Sequence, residues 1–258
     1  TTDWTDVVDL NYDNPALRQA MIDVMQYWVR EFDIDGYRCD VAHGVPLDFW
    51  RAAIDSVEKI KPVLMLAEAA EPEMHLAGFD LTYAWPFYHQ LKEVFRGAPL
   101  RTLVRQVDST LALLPPGARR LRFTTNHDET MWDAPPPVLF GGQEGAMAAF
   151  VLATSMPGVP LLYNGQELGT STRVSFFART PYRWDAPESP ATYAFYRRYV
   201  RFYRESQALR RGTLTVLNPE ADHVLLYLRA AAGDTLLLAV NVRNRPETVT
   251  LPARIARQ

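Results

Sequence analysis

The chain has 258 residues, of which 48% are hydrophobic and 22% charged, as in ordinary globular proteins. Its formal net charge of −3 gives no indication of a nucleic-acid partner. The single cysteine, Cys39, excludes an internal disulfide and a cysteine-based metal site. These features leave the compartment, cytoplasmic or secreted, undetermined.

Five short apolar runs, each followed by an amphipathic segment, indicate strands alternating with helices. The predicted strands span residues 36–42, 63–67, 78–85, 121–126 and 159–163. The predicted helices span residues 14–32, 47–60, 87–96, 100–114, 144–156 and 192–206. Such alternation is typical of a parallel sheet covered by helices.

The first predicted helix has clear boundary signals. Asn14 is a candidate N-cap and Pro15 fits the first helical position. Its predicted buried stripe recurs at helical spacing and consists of Leu17, Met21, Val24, Trp28 and Phe32.

One uncharged run, residues 145–166, has the length of a membrane span. Pro157, Gly158 and Pro160 interrupt it, which favours a buried helix followed by a strand. The sequence therefore predicts no membrane partner.

From residue 207 onwards, the pattern changes to short runs rich in leucine, valine and threonine. These runs cover residues 213–217, 224–229, 236–242 and 248–251, with no helical segment between them. They predict a small antiparallel β-domain.

Three acidic residues, Asp40, Glu68 and Asp128, lie at the ends of predicted parallel strands. Ligand sites of α/β folds form at that edge of the sheet. Two carboxyl groups facing a cleft are the requirement of glycoside hydrolysis. By its position alone, however, a single acid at a strand end more often caps the next helix or forms an ion pair.

A metal site is an alternative at these strand ends, because Asp40, His43, His127 and Asp128 could be ligands of zinc or manganese. Neither a His-x-His nor a His-Glu-x-x-His pattern is present, so the sequence predicts no metal site.

Several segments resemble the α-amylase family, glycoside hydrolase family 13. Residues 35–42 (DGYRCDVA) resemble the signature of its fourth strand, and residues 65–68 (MLAE) the fifth-strand segment. Residues 123–128 (FTTNHD) and 157–167 (PGVPLLYNGQE) resemble the seventh- and eighth-strand motifs, and residues 9–11 (DLN) a motif near the end of domain B. The five motifs occur in the order found in the family.

The resemblance implies an α/β fold, a TIM (β/α)₈ barrel represented here by about strands 4–8. A small antiparallel β-domain, similar to domain C, would follow it. The expected domains are residues 1–12 (end of domain B), 13–206 (barrel) and 207–258 (domain C). Because the first conserved region of the family is absent, a fragment is expected, and the isolated chain should aggregate and lack activity.

The resemblance also implies roles for individual residues. Asp40 would be the nucleophile, Glu68 the general acid and base, and Asp128 a ligand of sugar hydroxyls. Arg38, His127 and His43 would contact substrate, His43 standing where many members have lysine. The resemblance implies no certain cofactor and leaves a calcium ion open for the full-length enzyme.

Aromatic side chains could supplement this set. Ala70 stands where the family often has tryptophan, so an aromatic platform at that point is not assured. Trp85, Trp132 and Trp184 are candidates for stacking on sugars, or for ordinary packing.

The implied activity is retaining hydrolysis of α-glucosidic bonds in starch-derived or malto-oligosaccharides. The partner would be an α-glucan or oligosaccharide substrate; the oligomeric state stays undetermined. Transglycosylation, or action on α-1,6 links, sucrose or cyclic dextrins, is the alternative within the family. A non-catalytic relative that serves as a binding subunit is the alternative of another class.

Overall fold

The computed structural model describes residues 8–251. The first seven residues of the predicted domain B segment and the last seven of the predicted domain C lie outside the described residues. Within the described part, no helix is long and apolar enough to cross a membrane.

The described chain alternates strands and helices, as the sequence predicts. The strands are β1 (Gly36–Cys39), β2 (Leu64–Ala67), β3 (Leu81–Tyr83), β4 (Arg119–Arg122), β5 (Val159–Pro160), β6 (Thr213–Val216), β7 (Val224–Ala231) and β8 (Asp234–Asn241). The helices are α1 (Pro15–Phe32), α2 (Leu47–Glu58), α3 (Glu73–Leu76), α4 (Trp85–Phe95), α5 (Leu100–Leu113), α6 (Glu129–Trp132), α7 (Pro136–Leu139), α8 (Gln143–Ser155), α9 (Pro190–Glu205) and α10 (Gln207–Arg211).

Strands β1 to β5 belong to one sheet in chain order, and β6 to β8 form a separate antiparallel sheet. Parallel pairing joins β1 with β2, β2 with β3, and β4 with β5. This confirms the predicted parallel sheet followed by a small antiparallel one. Contacts divide the described chain into two compact units, residues 8–85 with 113–120 and residues 86–112 with 121–251.

In the first unit, helix α1 begins and ends as the sequence predicts. The Asn14 side chain accepts a hydrogen bond from the Ala16 amide at 2.9 Å, and Pro15 occupies the first turn. The helix ends at Asp33, whose φ of 51° lies in the left-handed region.

The stripe predicted for α1 is confirmed only in part, since Leu17 and Met21 are half-buried and Met21 packs against the core. Met25 and Val29 are the buried residues, whereas Val24, Trp28 and Phe32 are 50%, 44% and 56% exposed. The helix therefore turns a neighbouring face toward the core. The exposed rings of Trp28 and Phe32 lie 4.8 Å apart, centroid to centroid, and leave an aromatic cluster on the surface.

Strands β1 and β2 approach each other closely because of a glycine. Gly36 pairs with Leu64, and a Cβ atom at position 36 would lie 1.9 Å from the Leu64 carbonyl oxygen. Any side chain there would force the strands apart. Further along, Cys39 pairs with Ala67, so the residues that follow, Asp40 and Glu68, leave the sheet side by side.

In the second unit, β4 ends earlier than predicted, at Arg122 instead of Asn126. In its partner β5, Pro160 lies opposite Arg122, and the Leu161 amide that follows donates to the Arg122 carbonyl oxygen at 2.8 Å as the last bond of the ladder. The buried residues 123–126 therefore lead toward Asp128 as irregular backbone.

The antiparallel sheet is anchored in the second unit by a buried arginine. Arg229 of β7 donates to the carbonyl oxygen of Ser155, which ends α8, and to those of Leu209 and Gly212 at 3.1 and 2.8 Å. Residues 248–251 form no strand, contrary to the prediction. The predicted domain boundary at residue 207 stays a prediction.

The exposed cluster on α1 should promote self-association, because contiguous apolar surface favours contact with other molecules. Trp28→Glu is expected to reduce the apparent mass measured by light scattering, and to change the free energy of unfolding by less than about 0.5 kcal/mol. Leu113→Glu, at an exposed leucine on α5, is the matched control. Equal scattering by both variants and the parent would contradict this role of the cluster.

Candidate active site

The predicted nucleophile lies directly after β1. Arg38 belongs to that strand, and its Nη1 atom contacts Asp40 Oδ1. Alternate residues of a strand point to the same face, which explains how the two side chains meet. The Asp40 side chain is 73% exposed, so a ligand can reach it.

The predicted acid, Glu68, follows β2 and is far more enclosed, with a side chain 16% exposed. Its Oε2 atom lies 2.9 Å from Arg38 Nη2 and also accepts the Val41 amide hydrogen at 2.9 Å. One guanidinium group therefore contacts both Asp40 and Glu68 through neighbouring nitrogen atoms.

Tyr83, at the end of β3, orients this guanidinium group. Arg38 Nε donates to the tyrosine hydroxyl at 3.4 Å, and its guanidinium carbon lies 5.8 Å from the ring centroid. Burial alone would lower the pKa of Arg38, but the bonds to Tyr83 and Asp40 and the charge of Glu68 outweigh it and raise that pKa. The group is therefore a permanent cation.

The turn after Asp40 has an unusual backbone. Val41 has φ 43° and ψ 42°, a left-handed conformation that β-branched residues rarely adopt. This conformation accompanies the hydrogen bond from the Val41 amide to Glu68. Residues held this way cluster at functional sites, where the surroundings maintain the strain.

His43 lines a hollow that also contains Glu68 and Trp85. The Trp85 ring stacks on Tyr83, with centroids 5.3 Å apart and an interplanar angle of 29°. An imidazole and an indole therefore border the hollow from which Glu68 is reached. Both kinds of side chain can contact a sugar, one by hydrogen bonds and the other by its apolar face.

In the second unit, an asparagine shapes the turn that carries Asp128. Asn126 is buried, and its Oδ1 atom accepts the amide hydrogens of Asp128 and Glu129, both at 2.9 Å. Such a turn is typical of asparagine. His127 is exposed, and its Nε2 atom lies 3.3 Å from Asp128 Oδ2.

The structure thus brings Arg38, Asp40 and Glu68 into direct contact, with His43 beside Glu68. His127 and Asp128 are neighbours in their own unit. Trp132 and Trp184 are 73% and 55% exposed, so neither belongs to the buried core.

The sequence motif at residues 123–128 included Asn126 without a role for it, and Tyr83 was not singled out. An asparagine at position 126 was itself a usable signal for the turn, because asparagine side chains accept the amide hydrogen two residues further on. Tyr83 carried no such signal, because its role follows from the pairing of β2 with β3.

Within residues 8–251, no three histidine, cysteine, aspartate or glutamate side chains gather in a way that could hold a metal ion. Calcium binding by the full-length protein stays a prediction.

Similarity to known proteins identifies the family. Residues 2–208 match the family model described as alpha amylase, catalytic domain. Alpha-amylase MalA of Haloarcula japonica is 28% identical to this chain over 97% of the chain and 37% of its own length. A cyclomaltodextrinase of Geobacillus thermopakistaniensis is 25% identical, over 94% and 42% respectively.

Among solved structures, the maltogenic alpha-amylase AmyB of Thermotoga neapolitana matches with a TM-score of 0.81 and 30% identity, over 93% of this chain and 56% of its own. The chain spans less than half the length of the two curated relatives above. Since the family model matches most of the sequence and includes every motif residue at the strand ends, this chain belongs to the α-amylase family of glycoside hydrolases.

Proposed function

We propose that the protein hydrolyses α-glucosidic bonds in starch-derived or malto-oligosaccharides with retention of configuration. The observation that carries this proposal is the contact of one Arg38 guanidinium group with both Asp40 and Glu68. Retaining glycosidases hold their two carboxyl groups about 5–5.5 Å apart, and inverting ones roughly 6.5–9.5 Å apart. Contact with adjacent nitrogen atoms of one group supports the shorter separation.

In the first step, an Asp40 carboxylate oxygen attacks the anomeric carbon while the bond to the leaving oxygen breaks. Glu68 transfers its proton to that oxygen. The enclosed position of Glu68 and the open position of Asp40 suit these two tasks, since the nucleophile must reach the sugar ring.

In the second step, water attacks the anomeric carbon and releases Asp40. Glu68 accepts the proton of that water and returns to its starting state. Two inversions restore the α-configuration. Arg38 balances carboxylate charge throughout, and its contact with Tyr83 keeps it in place.

Asp128 is proposed to bind sugar hydroxyls and to favour the distorted, oxocarbenium-like ring. The turn formed by Asn126 limits the freedom of its backbone, as a preorganised site requires. His127 and His43 are proposed to donate or accept hydrogen bonds at neighbouring hydroxyls.

The substrate class follows from the relatives. They are named alpha-amylase, cyclomaltodextrinase and maltogenic alpha-amylase, so both linear and cyclic α-glucans should be assayed. The binding-subunit alternative is less favoured, because all three candidate acids are present and two of them share an arginine.

The stereochemical outcome tests the proposal directly. Retention predicts that the α-anomer is the first product released by the full-length protein from a maltooligosaccharide. Proton NMR during the first minutes, before mutarotation, measures it. A first-formed β-anomer would exclude Asp40 as nucleophile.

Glu68→Gln removes the proton donor while keeping the size of the side chain. We expect turnover of maltooligosaccharides to fall by about 10²–10⁴-fold. An α-maltosyl fluoride needs no protonation of its leaving group, so its kcat/KM should fall much less. Equal losses on both substrates would contradict the role of Glu68 as general acid.

Arg38→Lys keeps one positive charge but loses the planar group that contacts two carboxylates and Tyr83. We expect kcat/KM to fall by about 100-fold or more, with a smaller change in KM. Arg96→Lys, at an exposed arginine paired with Glu93, is the control and should retain activity. Full activity of Arg38→Lys would show that charge alone suffices.

A further inference from the structure

Helix α6 is joined to Asp128 by its own backbone. The amide groups of Met131 and Trp132 each donate to the Asp128 carbonyl oxygen at 2.9 Å. The helix has only four residues, so its internal hydrogen bonds cannot fix its position. Whatever holds α6 in place therefore also holds the backbone of Asp128.

A largely buried ion pair anchors the end of this helix to α4. The Asp133 carboxylate accepts a hydrogen bond from the Tyr88 hydroxyl at 2.6 Å and contacts Lys92 Nζ. The ammonium group lies 4.5 Å from the Tyr88 ring centroid. The Lys92 and Asp133 side chains are 12% and 22% exposed, so water screens the pair little.

Glu129 is the fourth member of this cluster. It lies one helical turn before Asp133, whose amide donates to the Glu129 carbonyl oxygen at 3.0 Å. A side-chain hydrogen bond with Asp133 contributes to the raised pKa of Glu129. Two carboxylates in contact repel each other unless one keeps its proton. The ammonium of Lys92 is already in contact with Asp133, which leaves Glu129 as the proton carrier.

The pKa directions agree with this assignment. Burial, reinforced by the bond to Asp133, raises the pKa of Glu129 to about 7. Burial alone would raise the pKa of Asp133, but hydrogen bonds from Lys92, Tyr88 and Glu129 outweigh it and lower that pKa to about 2. Within the pair, Glu129 is therefore the group that keeps a proton and Asp133 the group that is ionised.

Among the described residues, Asp133, Lys92 and Tyr88 are the titratable groups that act on Glu129. His89 lies next to Lys92 and Asp133; burial and then the charge of Lys92 lower its pKa. His89 is therefore neutral near pH 7 and adds no charge that would compete with Lys92.

We propose that Glu129 is a positioning residue, whose protonated carboxyl group donates to Asp133, locks α6 to α4 and so fixes the backbone of Asp128. The inference rests on the role given to Asp128 in the proposed function. When Glu129 loses its proton above about pH 7, the repulsion between the two carboxylates loosens α6.

The kinetic test uses the full-length protein and kcat/KM for α-maltosyl fluoride, because fluoride leaves without a proton from Glu68. The parent should lose activity above about pH 7. Glu129→Gln keeps a hydrogen-bond donor that cannot ionise, so it should remove this decline and retain activity at pH 6 within about twofold.

Two further variants test the role of the Glu129 hydrogen bond and provide a control. Glu129→Ala removes the donor and should lower kcat by about tenfold at pH 6, with little change in KM, because Asp128 acts on the distorted ring. Glu144→Gln, at an exposed glutamate in the first turn of α8, should keep the pH profile of the parent. A decline that persists in Glu129→Gln would overturn the proposal.

A second measurement needs no activity and separates this inference from the proposed function. In carboxyl-labelled protein, the Glu129 signal should titrate near pH 7, and the Asp128 amide signal should shift with the same midpoint. The amide shift should vanish in Glu129→Gln. Titration of Glu129 near its ordinary value of 4.5 would refute the inference, even in an active enzyme. An Asp128 amide signal that does not shift when Glu129 titrates would refute it as well.

Discussion

The arrangement of the candidate site depends on one cation. Parallel pairing of β1 with β2 places Asp40 and Glu68 side by side, which would be unfavourable for two carboxyl groups without a partner. Arg38 resolves this conflict because its planar group presents a separate nitrogen atom to each. The close approach of the two strands at Gly36 and the contact with Tyr83 both serve to keep that group between them.

The second unit meets the same electrostatic problem with different means. Glu129 and Asp133 also lie in contact, but Lys92 offers a compact ammonium group that contacts Asp133. Arg38 offers a separate nitrogen atom to each carboxyl group, whereas here the proton of Glu129 lies between the two carboxyl groups. The two pairs of carboxyl groups therefore have different partners, a planar guanidinium group in the first unit and a compact ammonium group in the second.

Much of the fold was predictable because hydrophobic periodicity and helix caps are local signals. Asn14 and Pro15 set the start of α1, and the apolar runs before Asp40 and Glu68 identified β1 and β2. The early end of β4 was missed, because residues 123–126 are buried like the strand before them and the sequence does not show where pairing with β5 stops. The face that α1 turns to the core was missed because the large apolar residues at helical spacing, Trp28 and Phe32, are exposed, whereas Met25 and Val29 are buried.

In the candidate site, the motif residues could be predicted from the sequence, but the residues from other elements that contact them could not. Arg38 lies on β1, and Asp40 and Glu68 directly follow the adjacent strands β1 and β2, so their contact follows from strand register. The Glu129 cluster joins α6 to residues about forty positions earlier on α4, so no spacing in the sequence reveals it. Its existence follows from packing alone.

The left-handed turn at Val41 has a consequence for engineering. Strain of this kind costs of order 1–3 kcal/mol, and asparagine or glycine tolerates the same backbone with less of it. Selection for thermal stability would therefore favour replacement of Val41, while the rigidity that aims its amide at Glu68 would be lost. Variants with Val41 replaced for heat resistance alone would have a lower turnover. Val41 should therefore be kept, although valine fits this backbone conformation poorly.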